Sequence, residues 1–388
     1  MSSPLPASLK TILPLAAITS ASMLAMDLYL PAVPAMQRSM GLSVPQGQAT
    51  IAIFLAGLAA SQLMWGEALP RIGPKACVKW GLILLIVASL GCAMAGHIDV
   101  LLAMRLLQGV AAGAATVVAP AVIRATLPEA DGVRGMAAIG MIEAIVPAAG
   151  PVLGTAMLLV VDWHWTFVIV GVMALIAMPT AMRAAPRVLP NLDTSVRTGY
   201  LALLASRRFM RLAIAHALCF GALLTFVASA PQMLHHGMQL EGDAFALLQV
   251  FGVTGFIGMA SQSGRISARW GQARAVQGSA WAHALWCAGF VALLAAGWVS
   301  FAVLVVFWMG FCGILGVRGP AAFSDTLSVP VAQMGRAAAL LMLALLVTSA
   351  ASAQAVAPFL AQWHLMAVGV AMTLLCLVSL SLVVKYPR

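Results

Sequence analysis

The sequence has very little charge, and acidic residues are the scarcest of all. Asp and Glu together number 11 among 388 residues, and charged residues make up 8% of the chain, whereas soluble proteins carry about 25%. Six cysteines stand singly without a CxxC pair, which argues against a disulfide framework or a zinc site. Nucleophile–base pairs and Gly-rich phosphate loops are also missing. We therefore expect neither an enzyme nor a bound cofactor or metal.

Most of the chain is apolar. Hydrophobic residues make up 62%, and the mean hydropathy is +1.01. Runs of about 20 apolar residues recur from end to end, and each can cross about 30 Å of hydrocarbon as a helix. The first run continues past Asp27, which favours a retained helix over a cleaved signal peptide. We predict an all-α polytopic membrane protein with twelve transmembrane helices, at about 11–36, 48–66, 77–96, 99–124, 135–160, 164–183, 209–234, 243–264, 275–297, 299–322, 335–359 and 364–385.

A polar stretch divides these helices into two sets of six. It predicts an N-terminal six-helix bundle (1–183), a cytoplasmic linker (184–208) and a C-terminal six-helix bundle (209–388). The halves also share short patterns. G-x4-R-x-G, formed by Gly66, Arg71 and Gly73, returns at 264–271, and the sequence at 119–127 is similar to that at 319–327. Two similarities at nearly the same offset indicate a duplicated unit and pseudo-symmetric bundles.

The basic residues set the orientation. All but two of the 21 Lys and Arg residues, Arg318 among them, are expected at or near one face, which the positive-inside rule makes cytoplasmic together with both termini. The exceptions are Arg38, outside, and Arg105, within the membrane. Because topology accounts for the net charge of +10, no nucleic-acid partner is needed.

Two carboxylates, Asp27 and Glu143, are expected well inside the hydrocarbon. A charge at that depth costs about 2.5–3.5 kcal/mol and usually lines a pathway or pairs with a partner. Arg105 is the natural partner of Asp27, since it lies at a similar depth and keeps its proton. A carboxyl group whose surroundings change can exchange a proton near neutral pH. We predict proton coupling by Asp27 with Arg105; the alternatives are a structural hydrogen bond for Asp27 and a fixed salt bridge for Arg105.

Glu143 shares one face of the fifth span with three small or rigid residues, Pro147, Gly150 and Gly154. It could be a second proton site, a hook for cationic drugs, or a structural hydrogen-bonding group. Pro147 and Pro151 each remove a helix hydrogen bond, and the glycines permit close helix approach. A kinked, tightly packed helix is expected here.

A central cavity should be mostly apolar with a few polar or aromatic anchors, aided by flexible methionines. His235 and His236 form an exposed pair for which we predict no metal. The candidate substrate-binding residues are Tyr29, Gln62, Gln108, Phe226, Gln249, Phe256 and Gln354.

Three motifs carry a family resemblance. The layout resembles the major facilitator superfamily, and residues 27–34 (DLYLPAVP) are similar to the D-x-Y-L-P-A-x-P signature of its bicyclomycin/chloramphenicol-resistance (Bcr/CflA) drug:proton antiporters. Residues 105–109 (RLLQG) resemble the R-x-x-Q-G motif, and residues 146–154 (VPAAGPVLG) resemble the antiporter motif built on G-P-x-x-G. The resemblance implies that Arg105 takes part in proton coupling and that the kink of the fifth span limits leak.

The loop after the second span departs from the superfamily pattern. Pro70 stands where an aspartate is expected, and Pro74 where an arginine is expected. In the family, this aspartate is thought to hold the two halves in one state. Glu67, one turn away, could take its place.

The resemblance implies a function. It predicts a monomeric drug:proton antiporter of the bacterial inner membrane that exports small amphipathic antibiotics, such as chloramphenicol, florfenicol or bicyclomycin, by alternating access. Its partners would be the drug, the proton and the lipid bilayer. Two alternatives stay open: an exporter or symporter of a metabolite such as an amino acid or sugar, and a transport-inactive membrane sensor.

Overall fold

The chain is helical wherever the structure describes it. The structure is a computed structural model that describes residues 7–189, 200–240, 242–329 and 331–384, and these ranges contain no β-strand. The predicted all-α fold class is confirmed. The helices are α1 (Ala7–Asp27), α2 (Val33–Met40), α3 (Val44–Ala93), α4 (Ile98–Thr126), α5 (Glu129–Leu158), α6 (His164–Ala184), α7 (Tyr200–Ala205), α8 (Arg207–Met238), α9 (Gly242–Trp270), α10 (Gln272–Ala295), α11 (Phe301–Thr326), α12 (Val331–Val356) and α13 (Leu360–Val384).

Nine helical segments in the described ranges are long and apolar enough to cross a membrane. Two of them, Val44–Ala93 with 50 residues and Arg336–Val384 with 49, would each extend over about 70 Å at 1.5 Å per residue, which is enough for two crossings. Helix α5 adds a further 30 residues outside those nine segments. This arrangement has room for twelve crossings, but that count and the cytoplasmic location of both termini stay predictions.

The chain divides into two compact units. Unit 1 comprises Met1–Met36 and Ile53–Arg197, and unit 2 comprises Gln37–Ala52 and Thr198–Arg388. In unit 1, α1 packs against α4, α5 and α6. In unit 2, α8 packs against α11, α12 and α13, and α9 packs along α11. The predicted boundaries at 183 and 208 stay a prediction.

Glycines bring the helix backbones into contact at matching places in both units. In unit 1, Gly57 of α3 lies against the Leu106 carbonyl of α4; in unit 2, Gly255 of α9 lies against the Met309 carbonyl of α11. Lipid is as apolar as a helix surface, so membrane helices associate through such close approach. The two glycines are 198 residues apart, which is the offset of the sequence repeat.

Residue Gly73 interrupts α3 where the sequence predicted a loop. The helix runs from Val44 to Ala93, and its non-helical backbone is at Gly73, with φ 77° and ψ 162°. A Cβ at this position would collide with the Arg187 carbonyl oxygen. The last glycine of the repeated pattern, Gly271, also has a positive φ of 83° and precedes α10. The pattern G-x4-R-x-G therefore encodes the same backbone turn twice.

Replacing Gly73 by alanine is expected to destabilise the protein by about 1–3 kcal/mol, because this φ/ψ region is open almost only to glycine. Thermal unfolding of the purified protein measures the effect. The matched control is Gly66→Ala in the same helix, where a Cβ meets open space and alanine should be neutral or stabilising by up to about 1 kcal/mol. Equal midpoints for the two variants would contradict the assignment of this turn.

Candidate functional site

Asp27 is the last residue of α1, at the point where the chain changes direction. The helix tightens through hydrogen bonds from Leu28 N to Leu24 O and from Tyr29 N to Met26 O, both 3.1 Å. A 3-10 turn, Leu30–Ala32, follows and leads into α2. Pro31 favours this break because it cannot donate a backbone hydrogen bond. The Asp27 side chain is held inside the protein, with 8% of its surface exposed.

Helix α5 presses its small residues against this break. A Cβ built on Gly150 would lie 2.5 Å from the Asp27 Cβ and 3.2 Å from its carbonyl carbon. One turn later, a Cβ on Gly154 would collide with the Leu28 carbonyl oxygen. Pro151, between them, is buried, and α5 continues as one helix through Pro147 and Pro151. The antiporter-like motif thus forms the surface that packs against Asp27, while its predicted effect on leak stays a prediction.

Arg105 of α4 is fully buried beside the same segment of α1. Its Nη1 donates to the Ala25 carbonyl oxygen at 2.9 Å and to Gln108 Oε1 at 2.6 Å. Gln108 in turn donates through Nε2 to Ser89 Oγ at 2.9 Å. This chain of hydrogen bonds ties α3 and α4 to α1 two residues before Asp27. Neutral oxygens satisfy part of the guanidinium, as a buried charge requires.

Aromatic rings enclose the Arg105 guanidinium. Its carbon lies 4.4 Å from the ring centre of Phe54, 4.7 Å from that of Tyr29 and 5.7 Å from that of Phe167. Tyr29 and Phe167 also pack on each other, with ring centres 5.0 Å apart. Ring faces attract a cation more strongly when water is excluded. Tyr29, a predicted substrate-binding residue, is thus part of the wall around Arg105.

The predicted pairing of Asp27 with Arg105 is not a direct contact in this structure. Among the ion pairs between described side chains, none joins these two residues. Both are buried within unit 1, and Arg105 grips the α1 backbone close to Asp27. Their predicted roles stay predictions. The side chain of Glu143, the third predicted proton-coupling residue, lies outside the described residues.

The remaining candidates are spread over the two units. In unit 1, Gln62 donates to Thr116 Oγ1 at 3.2 Å. In unit 2, Phe226 is buried and stacks on Trp308 with ring centres 3.9 Å apart. Gln249 is also buried, whereas Phe256 and Gln354 are half-buried. These placements do not test their predicted role in substrate binding.

Sequence analysis missed two buried side chains of α11. Trp308 stacks in an aromatic cluster with Phe226 and Phe311, and aromatic residues at positions 307, 308 and 311 are the signal that could have found it. Arg318 was expected at or near the cytoplasmic face, and its side chain is fully buried. Helix α11 continues to Thr326, so Arg318 lies about 12 Å from the end of its helix at 1.5 Å per residue, and its location relative to the membrane stays a prediction.

The charged side chains of the loop after the second predicted span are exposed. Arg71 pairs with Glu67, four residues earlier, at 3.3 Å, but their side chains are 74% and 47% exposed, and such a pair contributes little to stability. Gly66 faces open space. A substitute role of Glu67 for the missing aspartate stays a prediction.

Nine helical segments of membrane length among the described residues, together with charged side chains buried in each unit, are the features of a multi-pass membrane protein. The profile of the Major Facilitator Superfamily matches residues 15–353. The chain belongs to this superfamily.

Two groups of relatives agree with this membership. Multidrug resistance protein MdtL of Escherichia coli O81 (strain ED1a) is 31% identical over 225 residues, and MdtL of Shigella dysenteriae serotype 1 (strain Sd197) is 30% identical over 225 residues. Each match covers 57% of this chain and 57% of the relative, so the chain spans just over half the length of these relatives. Two crystal structures share the fold. That of a D-xylose-proton symporter has 14% sequence identity and a TM-score of 0.73, and the match covers 95% of this chain and 96% of the other. That of nucleoside transporter NupG has 11% identity and a TM-score of 0.73, and the match covers 96% of this chain and 98% of the other.

Proposed function

We propose that this protein is a proton-coupled exporter of small amphipathic drugs in the bacterial inner membrane, with Asp27 as the group that carries the proton. The observation that carries the proposal is the burial of Asp27 at the break after α1, against the glycine face of α5. Burying an acidic group in a membrane segment costs free energy, and such groups usually mark a transport pathway. The relatives named as multidrug resistance proteins support drugs as the cargo.

The chemistry follows from the surroundings of Asp27. When the site faces out, Asp27 takes a proton from the outer side. When the site faces in, Asp27 releases it, and the nearby Arg105 charge stabilises the carboxylate that remains. Arg105 itself keeps its proton throughout. Glu143 is proposed as a second proton site or as a carboxylate that binds cationic drugs.

Coupling requires that protonation changes how the helices pack. Asp27 is suited to this because its backbone contacts Gly150, and Arg105 holds the carbonyl of Ala25 only two residues away. A change in charge at Asp27 therefore changes the forces on α4 and α5 directly. The protein is proposed to act as a monomer that alternates access by rocking of its two halves.

A drug-susceptibility panel combined with a proton-flux assay tests the function. Cells that express the protein should tolerate several-fold higher concentrations of chloramphenicol, florfenicol or bicyclomycin than cells with an empty vector. In everted vesicles, the same drugs should dissipate a pre-formed pH gradient. Gradient loss with amino acids or sugars but with no drug would instead favour a metabolite transporter, and drug binding without any flux would favour a sensor.

A further inference from the structure

Helix α11 carries a second buried arginine that the proposed mechanism does not use. Arg318 is 0% exposed. Its Nη2 donates to Ser379 Oγ at 2.6 Å and to the Ala215 carbonyl oxygen at 3.3 Å. Its Nε and Nη1 are buried without a hydrogen-bond partner. One edge of the guanidinium is thus anchored to α8 and α13. The uncharged thiol of Cys219 also lies against the guanidinium, so no described group here neutralises the Nε–Nη1 edge.

The groups around Arg318 do not neutralise it. His283 lies nearby, with Nε2 3.1 Å from the Phe311 carbonyl oxygen and Nδ1 3.6 Å from the Cys219 sulfur. The carbonyl can only accept, so Nε2 donates, and in the neutral ring Nδ1 accepts from the thiol. Moving that proton from sulfur to ring would give a thiolate and an imidazolium, which also sum to zero. In either form the Cys219–His283 pair leaves the charge of Arg318 uncompensated.

Among the described residues of unit 2, no carboxylate pairs with Arg318. Residues 198–388 contain three acidic residues, Glu241, Asp243 and Asp325. Asp325 follows Arg318 by two helical turns, about 10 Å, and is paired with Arg208 at 3.1 Å. Asp243 stands in the first turn of α9, and Glu241 lies outside the described residues. Ion pairs among the described residues of unit 2 do not include Arg318.

A second polar group beside Arg318 also lacks a partner. His216 of α8 directly follows Ala215, whose carbonyl oxygen accepts from Arg318; it is 6% exposed, and its Nδ1 is buried without a hydrogen bond. Burying one unsatisfied donor costs about 1–3 kcal/mol, and more when it is charged. Arg318 retains two such donors, both on a charged group, and the ring of His216 lies on the neighbouring part of α8, so this part of unit 2 is a candidate site for an anionic ligand.

We propose that this cluster, Arg318 with His216, binds a small monovalent anion, either a halide or the carboxylate of a small molecule. The Nε–Nη1 edge of a guanidinium offers two parallel donors that suit such a ligand, and His216 Nδ1 can supply a third. The nitrogens are enclosed in this packing, so the anion enters only when the helices around them move apart. Because the anion binds the folded unit and not the unfolded chain, it should raise the stability of unit 2.

Thermal unfolding of the purified full-length protein tests this site. The midpoint is measured in sodium chloride, bromide or acetate and, at equal ionic strength, in sodium isethionate, whose anion is bulkier. A bound anion should raise the midpoint by about 2–5 °C, saturating with concentration. Stabilisation by chloride and bromide would identify a halide site, and stabilisation by acetate alone a carboxylate site. Equal midpoints in all four salts would overturn the proposal. The charge of Arg318 would then be stabilised by groups of the protein alone.

Variants assign the effect to Arg318. Arg318→Gln should abolish the difference between anions, and Arg318→Lys, which keeps the charge but loses the paired donors, should reduce it. The control Arg274→Gln, at an exposed arginine of α10, should keep it, as should Asp27→Asn, since the site is independent of the proposed proton carrier. An anion effect that persists in Arg318→Lys at full size would overturn the assignment, even if Arg318→Gln fails to fold.

Discussion

Replacing Asp27 by asparagine is expected to abolish drug export driven by the proton gradient while leaving folded protein in the membrane. Asparagine has nearly the same shape and keeps the close contact with Gly150, but it cannot take up or release a proton. One charge that moves through 100 mV supplies about 2.3 kcal/mol, which corresponds to roughly a 50-fold drug gradient for a neutral drug at about 1.4 kcal/mol per tenfold. The variant should lose that gradient in everted vesicles.

The matched control for this experiment is Asp162→Asn. Asp162 is exposed, and its carboxylate accepts hydrogen bonds from the backbone and the ring of His164 at 3.0 and 2.8 Å. These hydrogen bonds hold the pKa of Asp162 below its usual range, so it stays ionised through neutral pH and has no proton to exchange. Export should be unchanged in this variant. Undiminished export in Asp27→Asn would remove Asp27 from the mechanism.

Substituting Gly150 by alanine should have the second-largest effect. A Cβ there would lie 2.5 Å from the Asp27 Cβ, well inside van der Waals contact, so α5 must move away from α1. Such overpacking typically costs about 1–3 kcal/mol. It would also move the glycine face of α5 away from Asp27, so that a change in the charge of Asp27 affects α5 less. We expect a lower unfolding midpoint together with at least a tenfold loss of export.

Gly289→Ala provides the comparison for Gly150. Gly289 also lies within a membrane helix, α10, but a Cβ there meets open space, so alanine should be neutral or stabilising by up to about 1 kcal/mol. Valine at position 150 should be worse than alanine, because the added methyl groups find no room. If Gly150→Ala exported and unfolded like Gly289→Ala, the tight contact between α1 and α5 would not be needed for coupling.

The fold class was predictable because apolar runs of membrane length have one main solution, a helix that satisfies its own backbone. The burial of Asp27 and Arg105 followed from the same hydropathy. The partners of Arg105 did not, because the Ala25 carbonyl and Gln108 Oε1 are selected by helix packing, which the spacing of apolar residues does not determine. The turn at Gly73 was expected as a loop between the predicted spans 48–66 and 77–96, whereas helix α3 runs on both sides of this one residue.

The partners of Arg318 were likewise not predictable from the distribution of charge. An arginine near the end of an apolar run was assigned to the cytoplasmic face by the positive-inside rule, which counts charges near loops. The rule does not register that α11 extends to Thr326 or that the guanidinium donates to the Ala215 carbonyl of α8 and to Ser379 of α13. Buried polar clusters arise from side chains distant in sequence, and the pattern within one helix does not reveal them.

Proton release on drug binding is the most direct test of the proposal that Asp27 carries the proton. Purified protein in lightly buffered detergent solution, with a pH-sensitive dye, is mixed with a saturating drug found in the susceptibility panel. The wild-type protein and Asp162→Asn should release about one proton per drug bound, and Asp27→Asn should release none. Release of a full proton from Asp27→Asn would contradict the account and assign the coupling to another group.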